Sequence, residues 1–213
     1  MSDGVTIYAT ETLRTYLDDA ASGKPAPGGG SVSACVGALG AGLVAMVCNL
    51  TVGKEKFAGV DAQAAELLGR AEDARARLEE LLQQDTTAYT GVLQAYRLPK
   101  GTDEEKAARS AAIQKGLVFA ANVPLEICRV ALEICRLART AAEIGNPGAV
   151  TDAGIGALLG EAAAVGGALN VEINLGQIKD EAYVRDTAAE TGRILAEAAE
   201  LRTEVLRITR DKL

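Results

Sequence analysis

Two segments of this chain are almost free of charge, and the long segments around them mix apolar and charged positions at helical spacing. Residues 32–50 hold no charged residue, and Ala153 to about Asn170 holds one, Glu161. Thr10 to Ser22 reads as an amphipathic helix with Leu13, Tyr16 and Leu17 on one face and Thr10 as its cap. Long charged helices are predicted from about Val60 to Arg97 and from about Asp180 to Arg210. Thr102-Asp103-Glu104-Glu105 has the form of a capping box and opens a helix towards Ala121. Pro124 is expected to kink or restart it, with Asn122 capping a new helix through Arg139. Along that second piece Leu125, Cys128, Leu132, Cys135 and Arg139 form one stripe. Leu98-Pro99-Lys100-Gly101 and Gly145-Asn146-Pro147-Gly148 read as turns.

Helix formers dominate and aromatic residues make up 3% of the chain, so the expected fold is all-α. No linker-like stretch divides the sequence, which predicts a single-domain helical bundle over residues 1–213 with two buried small-residue-rich helices. The second apolar segment carries Gly154, Gly156, Gly160, Gly166 and Gly167. Each interior glycine costs a helix about 1 kcal/mol relative to alanine. Close backbone contact with the helix at 32–50, small face to small face, is the expected compensation. These two helices offer more apolar surface than so small a bundle readily hides, which predicts a homodimer formed by helix packing. Residues 32–50 also have the length of a membrane span. Their richness in Gly, Ala and Ser and the lack of flanking aromatic residues favour instead a helix buried by protein on all sides.

A formal net charge of −7 argues against a nucleic-acid partner, which needs a clustered basic surface. Cys35, Cys48, Cys128 and Cys135 lie in apolar helical stretches without CxxC spacing, and the N-terminus shows no basic-then-apolar leader. Both features fit reduced thiols in a cytoplasmic protein. The chain has no histidine. Proton transfer near neutral pH then falls to carboxylates, lysine, tyrosine or thiols, and no zinc ligand set is visible.

Candidate chemistry begins at Pro27-Gly28-Gly29-Gly30-Ser31, which leads directly into the first apolar helix. Three glycines let backbone lie against a ligand in conformations closed to other residues, and Ser31 is placed to cap the helix. The loop could also be only a tight connection. It is not a P-loop, since no Gly-Lys-Ser/Thr ending and no preceding strand are present. Asp85 stands where a charged helix turns small and neutral, which suggests an inward-facing patch as against a solvated face. Asp152 could be a helix N-cap, but it opens the glycine-rich helix, with Glu161 further along it, and charges placed there must be paired or used. Asn146, Asn170 and Asn174 add neutral hydrogen-bonding groups, the last two sharing a face if the helix extends that far. Lys54 and Lys56 follow the first apolar helix.

The ordered set Pro27-Gly28-Gly29-Gly30-Ser31, Thr51-Val52-Gly53-Lys54, Leu98-Pro99-Lys100, Asn146, Thr151-Asp152-Ala153-Gly154 and Asn170-Val171-Glu172-Ile173-Asn174-Leu175 resembles the formimidoyltetrahydrofolate cyclodeaminase and methenyltetrahydrofolate cyclohydrolase family over nearly the whole chain. The resemblance implies an all-α dimer acting on a folate derivative, with no cofactor beyond that tetrahydrofolate substrate and no metal. Asp152, Asp85 and Lys54 are then the catalytic candidates. Pro27, Gly28, Gly29, Gly30, Ser31, Lys56, Asn146, Glu161, Asn170 and Asn174 become the substrate-binding ones, the lysines facing the carboxylates of the folate tail and the asparagines the amide edge of the pterin. In two-activity animal enzymes this domain follows a formiminotransferase, absent from these 213 residues, so cyclohydrolase is expected ahead of cyclodeaminase. A helical interaction module that keeps the scaffold without the chemistry is the remaining alternative.

Overall fold

The computed structural model describes residues 6–213, with the side chain of Tyr89 outside the described set. Six α-helices, joined by short turns and 3-10 segments, account for the fold: α1 Leu13–Ala20, α2 Gly29–Asn49, α3 Asp61–Tyr96, α4 Asp103–Ile144, α5 Val150–Leu175 and α6 Glu181–Asp211. No strand occurs among the described residues. The capping box forms as its sequence requires: Thr102 accepts from the Glu105 amide, and the Glu105 carboxylate accepts from the Thr102 amide. Asp180 caps α6 by accepting from the Tyr183 amide. The first helix starts later than its pattern suggests. Thr12 caps it, not Thr10, which lies in a 3-10 turn, and of Leu13, Tyr16 and Leu17 only Tyr16 is buried.

The frame of the molecule is the antiparallel contact of α2 and α5. A Cβ on Gly40 would stand 3.1 Å from the Gly156 carbonyl oxygen, and one on Gly156 would stand 3.2 Å from the Gly40 carbonyl oxygen. The backbones therefore touch with nothing between them, and dispersion over that surface compensates the weak helix propensity of glycine. Gly160 and Gly167 make the same approach to α4, meeting Cys135 and Cys128. Only part of the expected burial is found. Each of the two helices leaves one apolar strip uncovered, with Leu39 61% and Leu169 62% exposed. On the opposite side, α6 closes the bundle through Arg129–Glu190 and Arg136–Glu197, two ion pairs set seven residues apart on both helices.

Helix α4 runs without interruption through Pro124, where a break was expected. Proline removes the amide that would have bonded the Ala120 carbonyl. The Asn174 side chain of α5 supplies the missing donor, its Nδ2 lying 3.1 Å from the Ala120 oxygen. Asn122 is consequently no cap; its Oδ1 accepts from the Tyr183 hydroxyl.

Two measurements check this packing. Gly160→Ala, whose Cβ would sit 2.8 Å from Cys135 Sγ and 3.1 Å from the Ala131 carbonyl, is expected to lose about 1–3 kcal/mol in urea denaturation. Gly192→Ala, in α6 with no atom within 4 Å, is expected to gain about 0.5–1 kcal/mol. In a double-mutant cycle, Asn174→Leu is expected to lose about 1–3 kcal/mol, a loss that shrinks once Pro124→Ala restores the amide at residue 124.

Candidate functional site

At the end of the bundle where α2 begins and α5 finishes, the second half of α3 and the first half of α4 help enclose a cavity of about 470 Å³. Gly28, Gly29, Asp85, Asn170 and Asn174 line it, with Val92, Leu93, Tyr96, Leu117 and Ile173 as its apolar wall. Asp85 is the one carboxylate among the described lining residues, and no lysine or arginine is among them. Its Oδ2 accepts a 2.9 Å hydrogen bond from the Ser31 amide, one of the orphan donors in the first turn of α2. Its Oδ1 lies over Gly30, where a Cβ would come within 2.2 Å of it. Gly29 is likewise covered by the Asn170 amide group, 3.3 Å from where its Cβ would be.

Gly29 and Gly30 are thus required by what presses on them and not by backbone conformation, since the one positive φ among the described residues is that of Gly53, whereas a Cβ on Gly28 would meet nothing within 4 Å. Gly28, extended, takes the N-cap position, and Ser31 is not a cap. Ser31 sits buried in the first turn, its hydroxyl sharing a 3.0 Å hydrogen bond with Tyr16. Pro27 is buried just ahead of the turn.

Burial raises the Asp85 pKa above the ordinary aspartate value, with the Ser31 amide pulling the other way. Tyr16, buried behind Ser31, is pushed up to about 12, chiefly by desolvation. Asn170 and Asn174 commit their Nδ2 groups to helix carbonyls, Asn170 to Gly166 and Asn174 to Ala120 and Asn170. Asn174 has thus spent both of its N–H donors and offers a ligand only Oδ1, whereas Asn170 keeps one N–H beside its Oδ1; the two Oδ1 atoms suit a partner with N–H donors. Tyr96 and Gln177, whose side chains share a 3.0 Å hydrogen bond, tie α3 to the end of α5.

A second group of sequence candidates gathers at the opposite end of the bundle. Asn146 caps a short 3-10 turn and donates to the Leu50 carbonyl, and its amide donates to Thr51. Lys54 is exposed in the turn after α2, and Asp152 lies in the first turn of α5 without capping it. Lys56, also exposed, lies 5.4 Å from the centre of the Phe57 ring. Glu161, midway along α5, is held by Arg202 through two hydrogen bonds of 2.7 and 3.0 Å. Eighteen residues of helix separate Asp152 from Asn170, roughly 27 Å at 1.5 Å per residue. Within one chain the glycine turn, Asp85, Asn170 and Asn174 come together, while Lys54, Lys56, Asn146, Asp152 and Glu161 stand apart from them.

A family model described as formiminotransferase-cyclodeaminase matches residues 12–193. The chain belongs to this family. It is 43% identical over 203 residues to a methenyltetrahydrofolate cyclohydrolase of Methylorubrum extorquens, covering 95% of this chain and 98% of that one. It is 34% identical to the formimidoyltransferase-cyclodeaminase of Rattus norvegicus, where the match takes in 88% of this chain and 35% of the rat protein. The crystal structure of a formiminotetrahydrofolate cyclodeaminase from Thermotoga maritima superposes with a TM-score of 0.86 at 28% identity, covering 96% of this chain and 98% of the other. Among the cavity-lining residues that sequence reasoning missed are Tyr96, Gln177 and Ile173. The first two bridge two helix ends that no local pattern links, and Ile173 reads as one more position of an apolar helix face.

A raised Asp85 pKa has a thermodynamic sign. The folded state retains a proton that the unfolded chain releases, so the contribution to stability is fully present below the ordinary aspartate pKa and is lost as pH rises through the folded value. Asp85→Asn keeps an acceptor for the Ser31 amide and removes the charge. Its stability relative to wild type is expected to rise from about pH 3, below the ordinary aspartate pKa, to about pH 8, in urea titrations at the two pH values.

Proposed function

We propose that this chain is a methenyltetrahydrofolate cyclohydrolase, hydrolysing 5,10-methenyltetrahydrofolate to 10-formyltetrahydrofolate. The observation that carries the reading is a largely apolar cavity whose described lining holds one carboxylate, Asp85, and no cation. The reactive carbon of the substrate is itself cationic, so a lone aspartate beside it both stabilises the charge and accepts a proton. The relative matched along its full length carries the cyclohydrolase name.

In this reading the pterin enters between the apolar wall and the α2 turn, its N–H groups facing Asn170 Oδ1 and Asn174 Oδ1. Water attacks the methenyl carbon, and Asp85 takes one of its protons as the carbon–oxygen bond forms. The tetrahedral adduct then opens as the carbon–N5 bond breaks. Asp85 returns its proton to N5, and the adduct hydroxyl releases the second to solvent as the formyl C=O forms. One proton is released overall, which balances the loss of the substrate's positive charge. A raised pKa brings Asp85 nearer the working pH, where a group can act first as base and then as acid. The substrate carries the reacting carbon itself, and no further cofactor takes part. The dimer expected from the sequence belongs to the same proposal, as does a cytoplasmic location for folate chemistry.

The Thermotoga maritima structure favours a second reading on the same carboxylate, in which N10 attacks an N5-formimino carbon and ammonia leaves. Spectrophotometry separates the two. Loss of the methenyl absorbance on adding enzyme, above the spontaneous rate, is the expected result, with Asp85→Asn slower by about 100- to 10,000-fold. Ammonia release from 5-formiminotetrahydrofolate without methenyl hydrolysis would transfer the assignment to cyclodeaminase.

A further inference from the structure

The first turn of α2 is held by a segment that the proposed chemistry does not use. A helix that opens on Gly29-Gly30, with Gly28 ahead of it and no side-chain cap, has a weak first turn. Glycine loses the most backbone freedom on ordering, and the end amides have no partner within the helix. Asp85 hangs on one of those amides, that of Ser31. The Ser31 side chain shows what keeps the turn from fraying. Its hydroxyl is fully buried and shares a 3.0 Å hydrogen bond with the hydroxyl of Tyr16 in α1. Among the described residues neither hydroxyl makes another hydrogen bond. Tyr16 is also the one buried residue of α1, so that helix is fastened to the bundle through it.

Tyr16 is braced in its turn. Its ring meets that of Tyr8 edge to face, the centroids 5.4 Å apart and the planes at 86°. Tyr8 is fixed from three sides. Its hydroxyl proton is shared between Asp19 Oδ2 of α1 and the carbonyl of Ala26, both 3.0 Å away, and Ala26 lines the cavity. Its amide donates to Gln83 Oε1 of α3, and Gln83 Nε2 donates back to the Thr6 carbonyl. Gln83 stands two residues before Asp85 on the same helix. The contacts therefore close a ring, from α3 at Gln83 through Tyr8 and Tyr16 to the α2 turn at Ser31, and back to α3 at Asp85. Such a ring opposes the one motion, a sliding of the α2 turn along α3, that would pull the Ser31 amide from the carboxylate.

We propose that residues 6–26 brace the site for proton transfer and that Tyr16 is the positioning residue of the brace. The Tyr16 hydroxyl holds Ser31, the Ser31 amide holds Asp85, and the carboxylate is kept in the orientation in which it takes and returns its proton. The inference rests on the folate reading for its chemistry and on the ring of contacts for its geometry. Tyr16 itself is not among the residues lining the cavity. Burial pushes its pKa up to about 12, so it keeps its proton at neutral pH and is no rival to Asp85 as a base. Its part in the reaction is geometric, and geometry carries weight here because a misplacement of about 1 Å costs a reaction up to roughly 100-fold.

Two experiments test it. Tyr16→Phe keeps the ring and its contact with Tyr8 and deletes the hydroxyl, while Ser31→Ala deletes the other hydroxyl and keeps the amide. Each is expected to lower kcat for methenyl hydrolysis about 10-fold with KM changed less than about twofold. The double variant is expected to be no slower than the slower single one, and Tyr16→Phe to cost nothing further beside Asp85→Asn. A loss of stability alone would not give that pattern. Wild-type kcat in either single variant, losses that multiply in the double variant, or a loss that recurs beside Asp85→Asn overturns the brace. The second experiment needs no turnover. Hydrogen exchange followed by NMR is expected to be about 10-fold faster at the Ser31 amide in Tyr16→Phe and unchanged at Val44 in the middle of α2. Unchanged exchange at Ser31, or an equal acceleration at Val44, overturns the inference. If Tyr16→Phe does not fold, Ser31→Ala carries both measurements through the amide of residue 31. Should the wild type fail to hydrolyse methenyltetrahydrofolate, the functional reading falls while the exchange rates still decide whether Tyr16 holds the turn.

Discussion

The hydrogen bond from the Ser31 amide to Asp85 is the constraint around which the cavity is arranged. It exists because residue 30 has no side chain, so the carboxylate can lie on the first turn of α2. Two opposing effects meet there. The positive end of a helix favours the charged carboxylate, while burial in an apolar wall favours the protonated one. Burial dominates, and the acid is left with a raised pKa and a fixed orientation in a place where histidine, the usual proton carrier at neutral pH, is absent from the chain altogether.

Glycine works differently elsewhere along the same helices. At Gly40, Gly156 and Gly160 it permits backbone to meet backbone or a cysteine, which fixes the level of α5 against α2 and α4. That level carries Asn170 onto Gly29 and Asn174 onto Ala120. The packing of the bundle and the shape of the cavity are therefore one problem, and Asn174 serves both by bridging the gap that Pro124 leaves in α4. The outward faces of α2 and α5 have no such inward duty and carry exposed apolar side chains such as Leu39, Met46, Leu169 and Ile173.

Much of the fold was legible in the chain because its signals are local. The Thr102–Glu105 box, the Asp180 cap and the long charged helix at 61–96 each depend on residues a turn or less apart. What escaped was non-local. Pro124 reads as a break until a side chain fifty residues away provides the lost donor. Ser31 reads as a cap because the sequence does not show that Asp85, from another helix, needs its amide. Asp85, Asn170 and Asn174 were legible as site candidates and do converge. Asp152 and Lys54 were read as catalytic candidates too, but the antiparallel pair of helices places them at the far end of the bundle. Spacing along a sequence gives no account of which end of a bundle a residue will occupy.

The most direct measurement on the central constraint is the activity of Gly30→Ala beside its crystal structure. A methyl group 2.2 Å from Asp85 Oδ1 must drive the carboxylate off the α2 turn. The account expects the helical fold to persist, Asp85 to be displaced from the Ser31 amide, and hydrolysis to fall to the level of Asp85→Asn. A Gly30→Ala protein with wild-type activity and a displaced Asp85 would contradict it.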